Sequence, residues 1–390
     1  ACATPACGFE KSCLKTHINI SAAAGSRTAL RTLLRERGGY RKRKALLRIA
    51  LVYPNLYRVG MANLGYLSVY SIFNSYPGVS CERFFLDIGN SMESNSPLAS
   101  FDVVAFSLQY EMDYVNLVKM LVSSGIEPLR ERRRRPLIIA GGPCCYNPLP
   151  LSSIVDLFVV GEVEPVASRL VEGLLEGVDP VDLADENGIF VSAYGNEVRA
   201  AKARDMDAIP APTNQPQIES GGLAPALGKT FMVEVSRGCN MLCRFCMYSH
   251  CTLPKRNRSA VRLREIVREG LRVTGARKVS LIGALVLDHP EIKDILSFLA
   301  SEGVTASLPS ARIDQIDEEV LTLMGELGVR TLTVAPEGSP HIRTILKKGI
   351  DEEGLRQSLE AASSYGIRTV SYTHLRAHET RHDLVCRLLL

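Results

Sequence analysis

No stretch of this 390-residue chain comes near the ~18 consecutive apolar residues that a membrane span requires, so no transmembrane segment is expected. The first residues lack a basic segment followed by a continuous apolar core, and no secretory leader is expected either. No initiator methionine precedes Ala1-Cys2, as in a fragment. Net charge is scarce: 46 basic against 42 acidic residues leave +4, which implies no acidic partner. Internal repeats and low-complexity tracts are also missing. The eleven cysteines do not make a disulfide framework. In a long chain without export signals, an adjacent pair (Cys144-Cys145) and a tight trio read as reduced cytosolic thiols plus a metal site, and a cytoplasmic location is expected. Cys2, Cys7 and Cys13 fit no metal-binding template.

What is present fits a soluble globular protein, with 46% hydrophobic and 23% charged residues and enough length for two domains. The basic charge is uneven. Arg27, Arg31, Arg35, Arg37, Arg41, Lys42, Arg43, Lys44 and Arg48 crowd one stretch against a single acid, Glu36, and Arg132 to Arg135 form a second run. Such runs bind nucleic acid or anionic surfaces, though more often they are solvated faces.

Residues 1–48 show no core pattern. From residue 49 on, short apolar runs at 49–53, 81–86, 103–107, 137–140 and 157–160 alternate with helical patterns at 65–73, 114–123 and 164–175. Buried strands alternating with helices predict a doubly wound parallel sheet over 49–188. Ligands of such sheets sit at the carboxyl ends of the strands. The loops there are Pro54–Leu64, Leu108-Gln109-Tyr110, Gly141-Gly142-Pro143 and Gly161-Glu162. Adjacent glycines let backbone approach a ligand, and they equally make an ordinary tight turn. Residues 188–200 read as a small hairpin turning at Tyr194-Gly195-Asn196, and the Pro- and Gly-rich segment 209–229 reads as a linker, so 189–229 separates the domains. Over 230–370, strand-like runs at 231–235, 278–282, 304–308, 331–335 and 367–370 alternate with helical patterns. That predicts a partial βα barrel with active groups at its strand ends.

The first of these strands leads into Cys239-Asn240-Met241-Leu242-Cys243-Arg244-Phe245-Cys246. Three thiolates within eight residues suit an iron–sulfur cubane, which would leave one of its four irons without a protein ligand. A zinc site completed by His250 or Cys251 is the alternative, although zinc ligands usually come as two separated pairs.

Cys239-x3-Cys243-x2-Cys246, with an aromatic before the third cysteine and a βα array behind it, resembles the radical S-adenosylmethionine (radical SAM) superfamily. The resemblance implies a [4Fe-4S] cluster on Cys239, Cys243 and Cys246. It also implies S-adenosylmethionine chelated at the open iron, reductive cleavage to a 5′-deoxyadenosyl radical, and an electron donor such as flavodoxin or ferredoxin. Phe245 would contact S-adenosylmethionine. The family's Gly-Gly-Glu-like segment is degraded here to Ile282-Gly283-Ala284-Leu285. Ser310 and Arg312 resemble residues that meet the ribose and carboxylate, and they equally fit turn formation and helix capping. Glu337, in Ala335-Pro336-Glu337-Gly338-Ser339, resembles a further contact, and equally complements the next helix's N-terminus.

The first domain, with Ser107-Leu108-Gln109 and Gly141-Gly142, is similar to the cobalamin-binding domains that precede many radical enzymes. The likeness implies that Ser107, Gly141 and Gly142 touch the nucleotide tail and corrin. The family's cobalt-ligating Asp-x-His-x-x-Gly motif is absent, and its loop, Tyr57 to Gly65, holds no histidine. Either cobalamin binds without a protein imidazole or this fold has lost it. Residues 49–370 as a whole resemble an uncharacterised group of such proteins with no settled substrate; methyl transfer or another radical rearrangement is the class-level expectation. Two other functions stand beside it. A methylthiotransferase acting on transfer RNA needs a second three-cysteine cluster, whose spacing Cys81, Cys144 and Cys145 do not match. A cobalamin- or zinc-binding sensor needs no open iron. Residues 371–390 resemble a translated sequencing adapter, which would cut the barrel after its fifth strand. As native chain they would put His374, His378 and His382 on one helical face.

Overall fold

A computed structural model describes residues 35–42, 44–220, 224–312 and 316–371. The tail with His374, His378 and His382 lies outside the described residues. The first element, β1 (Arg35–Arg37), falls inside the basic stretch, which therefore has more structure than its sequence pattern suggests. The expected apolar runs then form β2 (Leu47–Tyr53), β3 (Val79–Phe85), β4 (Val103–Ser107), β5 (Leu137–Gly141) and β6 (Leu157–Val159). Between them stand α1 (Tyr57–Gly60), α2 (Leu64–Ser75) and α3 (Asp113–Ser123), and α4 (Ala167–Glu176) follows. β7 (Ile189–Val191) completes a six-stranded sheet in the order β3-β2-β4-β5-β6-β7, parallel except for β7. Chain order reverses at β2, which is where a doubly wound sheet opens a crevice.

Every residue of β3 and β4 is buried. This is the expected state of parallel strands covered on both faces. Leu51, Val79, Leu67 and Leu170 pack on one face of the sheet. Val52, Val104, Phe106 and Leu117 pack on the other.

Two expectations need correcting. Residues 188–200 are not a free hairpin. Ile189–Val191 pairs with β6 because that buries Ile189 and Val191, and the return arm keeps only a bridge from Ala201 to Gly161. Asn196 folds its side chain onto Val191 N (2.9 Å) and Ile189 O (3.0 Å). The basic stretch, in turn, holds a core residue. Glu36, its lone acid, is the buried counter-ion of Arg83 (2.6 Å), and Arg83 also holds Glu93 (2.7 Å). β1 pairs antiparallel with β8 (Gln217–Ser220), a strand within the linker. The linker is tied down further by Gln215, whose side chain bonds both Met232 N (3.0 Å) and Met232 O (2.7 Å).

The second domain contains β9 (Phe231–Glu234), β10 (Ser236–Arg237), β11 (Arg256–Asn257), β12 (Lys278–Ile282), β13 (Thr305–Ser307), β14 (Thr331–Val334) and β15 (Arg368–Ser371). Its helices are α5 (Met247–Cys251), α6 (Ala260–Thr274), α7 (Ile292–Ser301), α8 (Glu318–Glu326), α9 (Pro340–Ile345) and α10 (Glu352–Ser364). β9, β12 and β13 are parallel neighbours, β14 and β15 form a second parallel pair, and an Ala311–Val334 bridge links the two groups. Five strands in chain order thus make a partial βα barrel that is not closed among the described residues.

Local signals explain the helices. α6 starts at Ser259, whose hydroxyl accepts from Arg262 N, and stops at Gly275 in the left-handed region. Its Leu263, Ile266, Val267 and Gly270 face the core at helical spacing. Asp317 and Asp351 cap α8 and α10 in the same way. No described helix is long and apolar enough to cross a membrane.

Candidate functional site

The cysteine loop is an excursion closed at its base. β10 and β11 pair antiparallel, Ser236 with Asn257 and Arg237 with Arg256, so residues 238–255 leave and re-enter at one point. Gly238 makes the crossing possible. It has φ +87°, and a Cβ there would lie 2.5 Å from Thr252 O and 2.7 Å from Pro254 O. Its N–H donates to the Tyr248 hydroxyl (3.0 Å), and Asn240 Oδ1 accepts from Lys255 N (2.9 Å). On the far side, Arg244 N and its side chain donate to Leu346 O (3.0 Å) and Ile345 O (2.9 Å).

Cys239 is buried, while Cys243 and Cys246 are half-buried. Burial pushes the Cys243 thiol up. Lys348 and Arg312 draw it down, and Cys246 and Cys239 push it up further. Cys243 therefore lies near the other two thiols and beside two cations, Lys348 and Arg312. Among the described residues no three His, Cys, Asp or Glu side chains converge as ligands of one ion. A cubane takes its thiolates on separate irons, so three neighbouring thiols that do not meet at a point still suit it. A metal would hold these thiols as thiolates, displacing the proton that burial favours on Cys243.

The other expected residues are only partly gathered here. Phe245 is exposed on the loop, with Lys348 Nζ 6.0 Å from its ring centroid. Arg312 reaches the loop directly, with Met241 Sδ at 3.2 Å and Gly349 O at 2.7 Å. Ser310 is exposed, and α8, the next described helix, is capped by Asp317. Glu337 has φ +65° and pairs with Lys348 at 3.1 Å instead of lying in the first turn of α9. At the degraded glycine motif, a Cβ on Gly283 would lie 2.8 Å from Ser236 Oγ, and that hydroxyl is buried without a partner. Lys255, holding Asp288 at 2.6 Å, sits beside it.

In the first domain, the Ser107 hydroxyl accepts from Gln109 Nε2 (2.9 Å). Asp113 Oδ2 accepts from Gln109 N (2.9 Å) and Tyr110 N (3.2 Å), while its buried Oδ1 has no partner. Gly142 has φ +109°, and its missing Cβ would collide with Leu108 O, so close backbone packing alone demands glycine there. Tyr57 is buried, with its hydroxyl on Glu36 (2.6 Å). Cys81 is fully buried within β3 while Cys144 and Cys145 follow β5, which gives no three-cysteine set in this domain.

The two carboxyl edges face each other. Glu162, after β6, receives Arg256 Nη2 at 2.7 Å and Arg237 Nη1 at 2.9 Å, and Glu164 receives Arg237 Nη2 at 2.9 Å. The Tyr146 hydroxyl reaches Cys251 O (3.4 Å), and Lys202 reaches Leu253 O (2.6 Å). Burial alone would raise Glu162; Arg256's hydrogen bonds and Arg237's charge outweigh it and hold the carboxyl below its usual range. Burial would likewise lower Arg237, but Glu234 and Glu164 more than offset that and raise it. Gly161-Glu162, expected from sequence to line a ligand, is thus a contact between domains. Arg237, Arg256, Glu164 and Lys348 were missed because their partners are remote in sequence. The one available signal was an arginine directly before Gly238-Cys239. A cavity of about 400 Å³ lies at the opposite end, near the start of β12 and β13, lined by Arg37, Lys229, Arg277 and Lys278. The C-terminus of α6 ends there, and those cations complement its dipole.

Comparisons with known proteins agree with this architecture. Residues 65–179 match the family described as radical SAM proteins, N-terminal, and residues 233–385 match the radical SAM superfamily. Over 346 residues the chain is 30% identical to the uncharacterized protein MJ0966 of Methanocaldococcus jannaschii, covering 87% of this chain and 72% of that one. Among solved structures it resembles the cobalamin-dependent S-adenosylmethionine radical enzyme OxsB, with a TM-score of 0.60 at 17% identity over 83% of this chain. It spans about half of OxsB's length (49%). It also resembles the radical S-adenosylmethionine methyltransferase TsrM of Kitasatospora setae, with a TM-score of 0.60 at 14% identity, covering 84% of this chain and 67% of that one. At these identities the likeness to OxsB and TsrM is one of fold. The fold, the cysteine loop at the barrel's carboxyl edge and the sequence matches together place this chain in the radical SAM superfamily, whose cofactors are a [4Fe-4S] cluster and S-adenosylmethionine.

Proposed function

We propose that this chain is a radical SAM enzyme whose cluster is held by Cys239, Cys243 and Cys246. When bound, the cluster supplies an open iron for S-adenosylmethionine and one electron to cleave it into methionine and a 5′-deoxyadenosyl radical, which takes a hydrogen atom from substrate. The chain's own residues do the rest. The buried Cys239 anchors the loop, Gly238 brings it across its own base, and Arg244 fastens its far side. Arg312 and Lys348 place positive charge beside Cys243, suited to the anionic cluster and to the carboxylate of S-adenosylmethionine. Phe245 offers an exposed aromatic face beside the third cysteine. The observation that carries this reading is the position of the three-cysteine loop, closed at its base by β10 and β11, at the carboxyl edge of a βα barrel.

The first domain would hold a cobalamin at its carboxyl edge. Its loop from Tyr57 to Gly65 holds no histidine, and the unpartnered Asp113 Oδ1 at the sheet's switch point offers one acceptor. TsrM, a methyltransferase of like fold, favours methyl transfer as the narrower reaction. A flavodoxin or ferredoxin would supply the electron.

Anaerobic reconstitution with iron and sulfide, then a chemical reductant and S-adenosylmethionine, tests this. The expected product is 5′-deoxyadenosine, lost on Cys239→Ala. Zinc bound at the trio in place of iron would overturn the assignment. Corrin absorbance retained after desalting is expected if cobalamin binds, and a colourless chain removes it from the account.

A further inference from the structure

Six contacts from the first domain and its extension converge on residues 237–256, among them Tyr146 to Cys251, Lys202 to Leu253 and Arg256 to Ala203 O. Three are carboxylate–arginine pairs: Glu162 to Arg256, Glu162 to Arg237, and Glu164 to Arg237. Glu234, at the end of β9, adds a third carboxylate on Arg237 at 2.8 Å. Glu162 also accepts from Ala203 N (2.9 Å), and Ala203 O accepts from Arg256. The side chains of Arg237, Glu162 and Glu164 keep only 15, 10 and 12% of their surface exposed, so water does little screening here. Guanidinium forks fix direction as well as distance, which lysine in the same place would not do.

The geometry points to Glu162 and Glu164 as positioning residues for the cluster. They act through Arg237 and Arg256, and first-domain carboxylates thereby set where Cys239 stands. This rests on the reading above that the trio holds the cluster. The physical link is short. Arg237 is separated from Cys239 by Gly238 alone, and Gly238 is pinned under Thr252 O and Pro254 O with no room to absorb a shift. Arg256 pairs with Arg237 across the loop's base, so Glu162 holds both ends of the excursion and Glu164 adds to the hold on Arg237. Neither glutamate touches the thiols.

The test uses the full chain with Glu162→Gln and Glu164→Gln together, which keep size and remove charge. Iron per chain should stay as in the wild type. Amide exchange over 238–246 should quicken by about tenfold, with β9 and β12 unchanged. The reduced cluster's electron paramagnetic resonance spectrum should shift, and 5′-deoxyadenosine per cluster should fall by roughly ten- to a hundredfold, the scale expected for a misplaced reacting group. Unchanged exchange overturns the proposal. Faster exchange with a wild-type spectrum and turnover also overturns it, because the carboxylates would then only join the domains. If the double variant fails to fold, the single Glu164→Gln, which leaves Arg237 two carboxylates, reads the same quantities. The exchange arm needs neither cluster nor turnover. A wild type that forms no 5′-deoxyadenosine would sink the enzyme reading, and exchange together with the cluster's spectrum would still decide this one.

Discussion

At the carboxyl edge of the first sheet, the loops after β2 and β4 are tied to their own domain. Ser107 holds Gln109, Asp113 holds the backbone of Gln109 and Tyr110, and Tyr57 bonds Glu36 and Asp87. At the carboxyl edge of the barrel, the cysteine loop takes its main restraints from its rim. Glu162 and Glu164 hold one side, and the carbonyls of Ile345 and Leu346 hold the other. A loop that must receive a metal group cannot fill its own centre with side chains, so it is shaped from outside. The first domain supplies much of that outside.

Four changes would break or sharpen this contrast. Cys243→Ala removes one of the three proposed cluster ligands. Cluster assembly should be lost, with iron falling to background while the circular dichroism of the chain is unchanged. Retained iron would contradict the assignment. In the first domain the largest effect should come from Arg83→Met. Arg83 is 3% exposed and holds both Glu36 and Glu93, so the change strands two buried carboxylates. The expected cost is about 3–5 kcal/mol, read from the denaturant midpoint. Gly142→Ala should cost about 3 kcal/mol, since it strains φ and meets fixed backbone. Gly283→Ala, at the barrel edge, meets the Ser236 hydroxyl first and should cost nearer 1 kcal/mol. Similar costs for the two would mean that the edges are equally rigid.

The smallest effect concerns pH. Glu162 is held below its usual value of 4.5, so its ionised form contributes stability that is fully present above pH 4.5. That contribution fades as pH falls through the lower folded-state value. The stability gap between wild type and Glu162→Gln should therefore close as pH is lowered, and a gap independent of pH would show that Glu162 acts by packing alone.

Much of this was legible in the sequence because the signals are local. Parallel strands buried on both faces read as short apolar runs, and β2, β4 and β12 fall where those runs stand. The cysteine trio is a spacing within one loop. What escaped depends on distant partners. Glu36 reads as a stray acid among arginines until Arg83, 47 positions away, closes on it. Glu162 reads as a ligand-loop residue until Arg256, 94 positions away, does the same. β1, β8, β10 and β11 are two to four residues long, too short for periodicity to show. Gly142 shows the converse, where a glycine expected to admit a ligand is already required by Leu108. Ser310 stays outside the gathered site, whereas Arg312, singled out beside it, reaches the loop through Met241.

A cluster on three cysteines would leave one iron open, and Mössbauer spectroscopy of the chain reconstituted with 57Fe reads that iron directly. Adding S-adenosylmethionine should change the signal of one iron in four and leave the other three. A spectrum in which all irons are equivalent and indifferent to S-adenosylmethionine would contradict the proposed site.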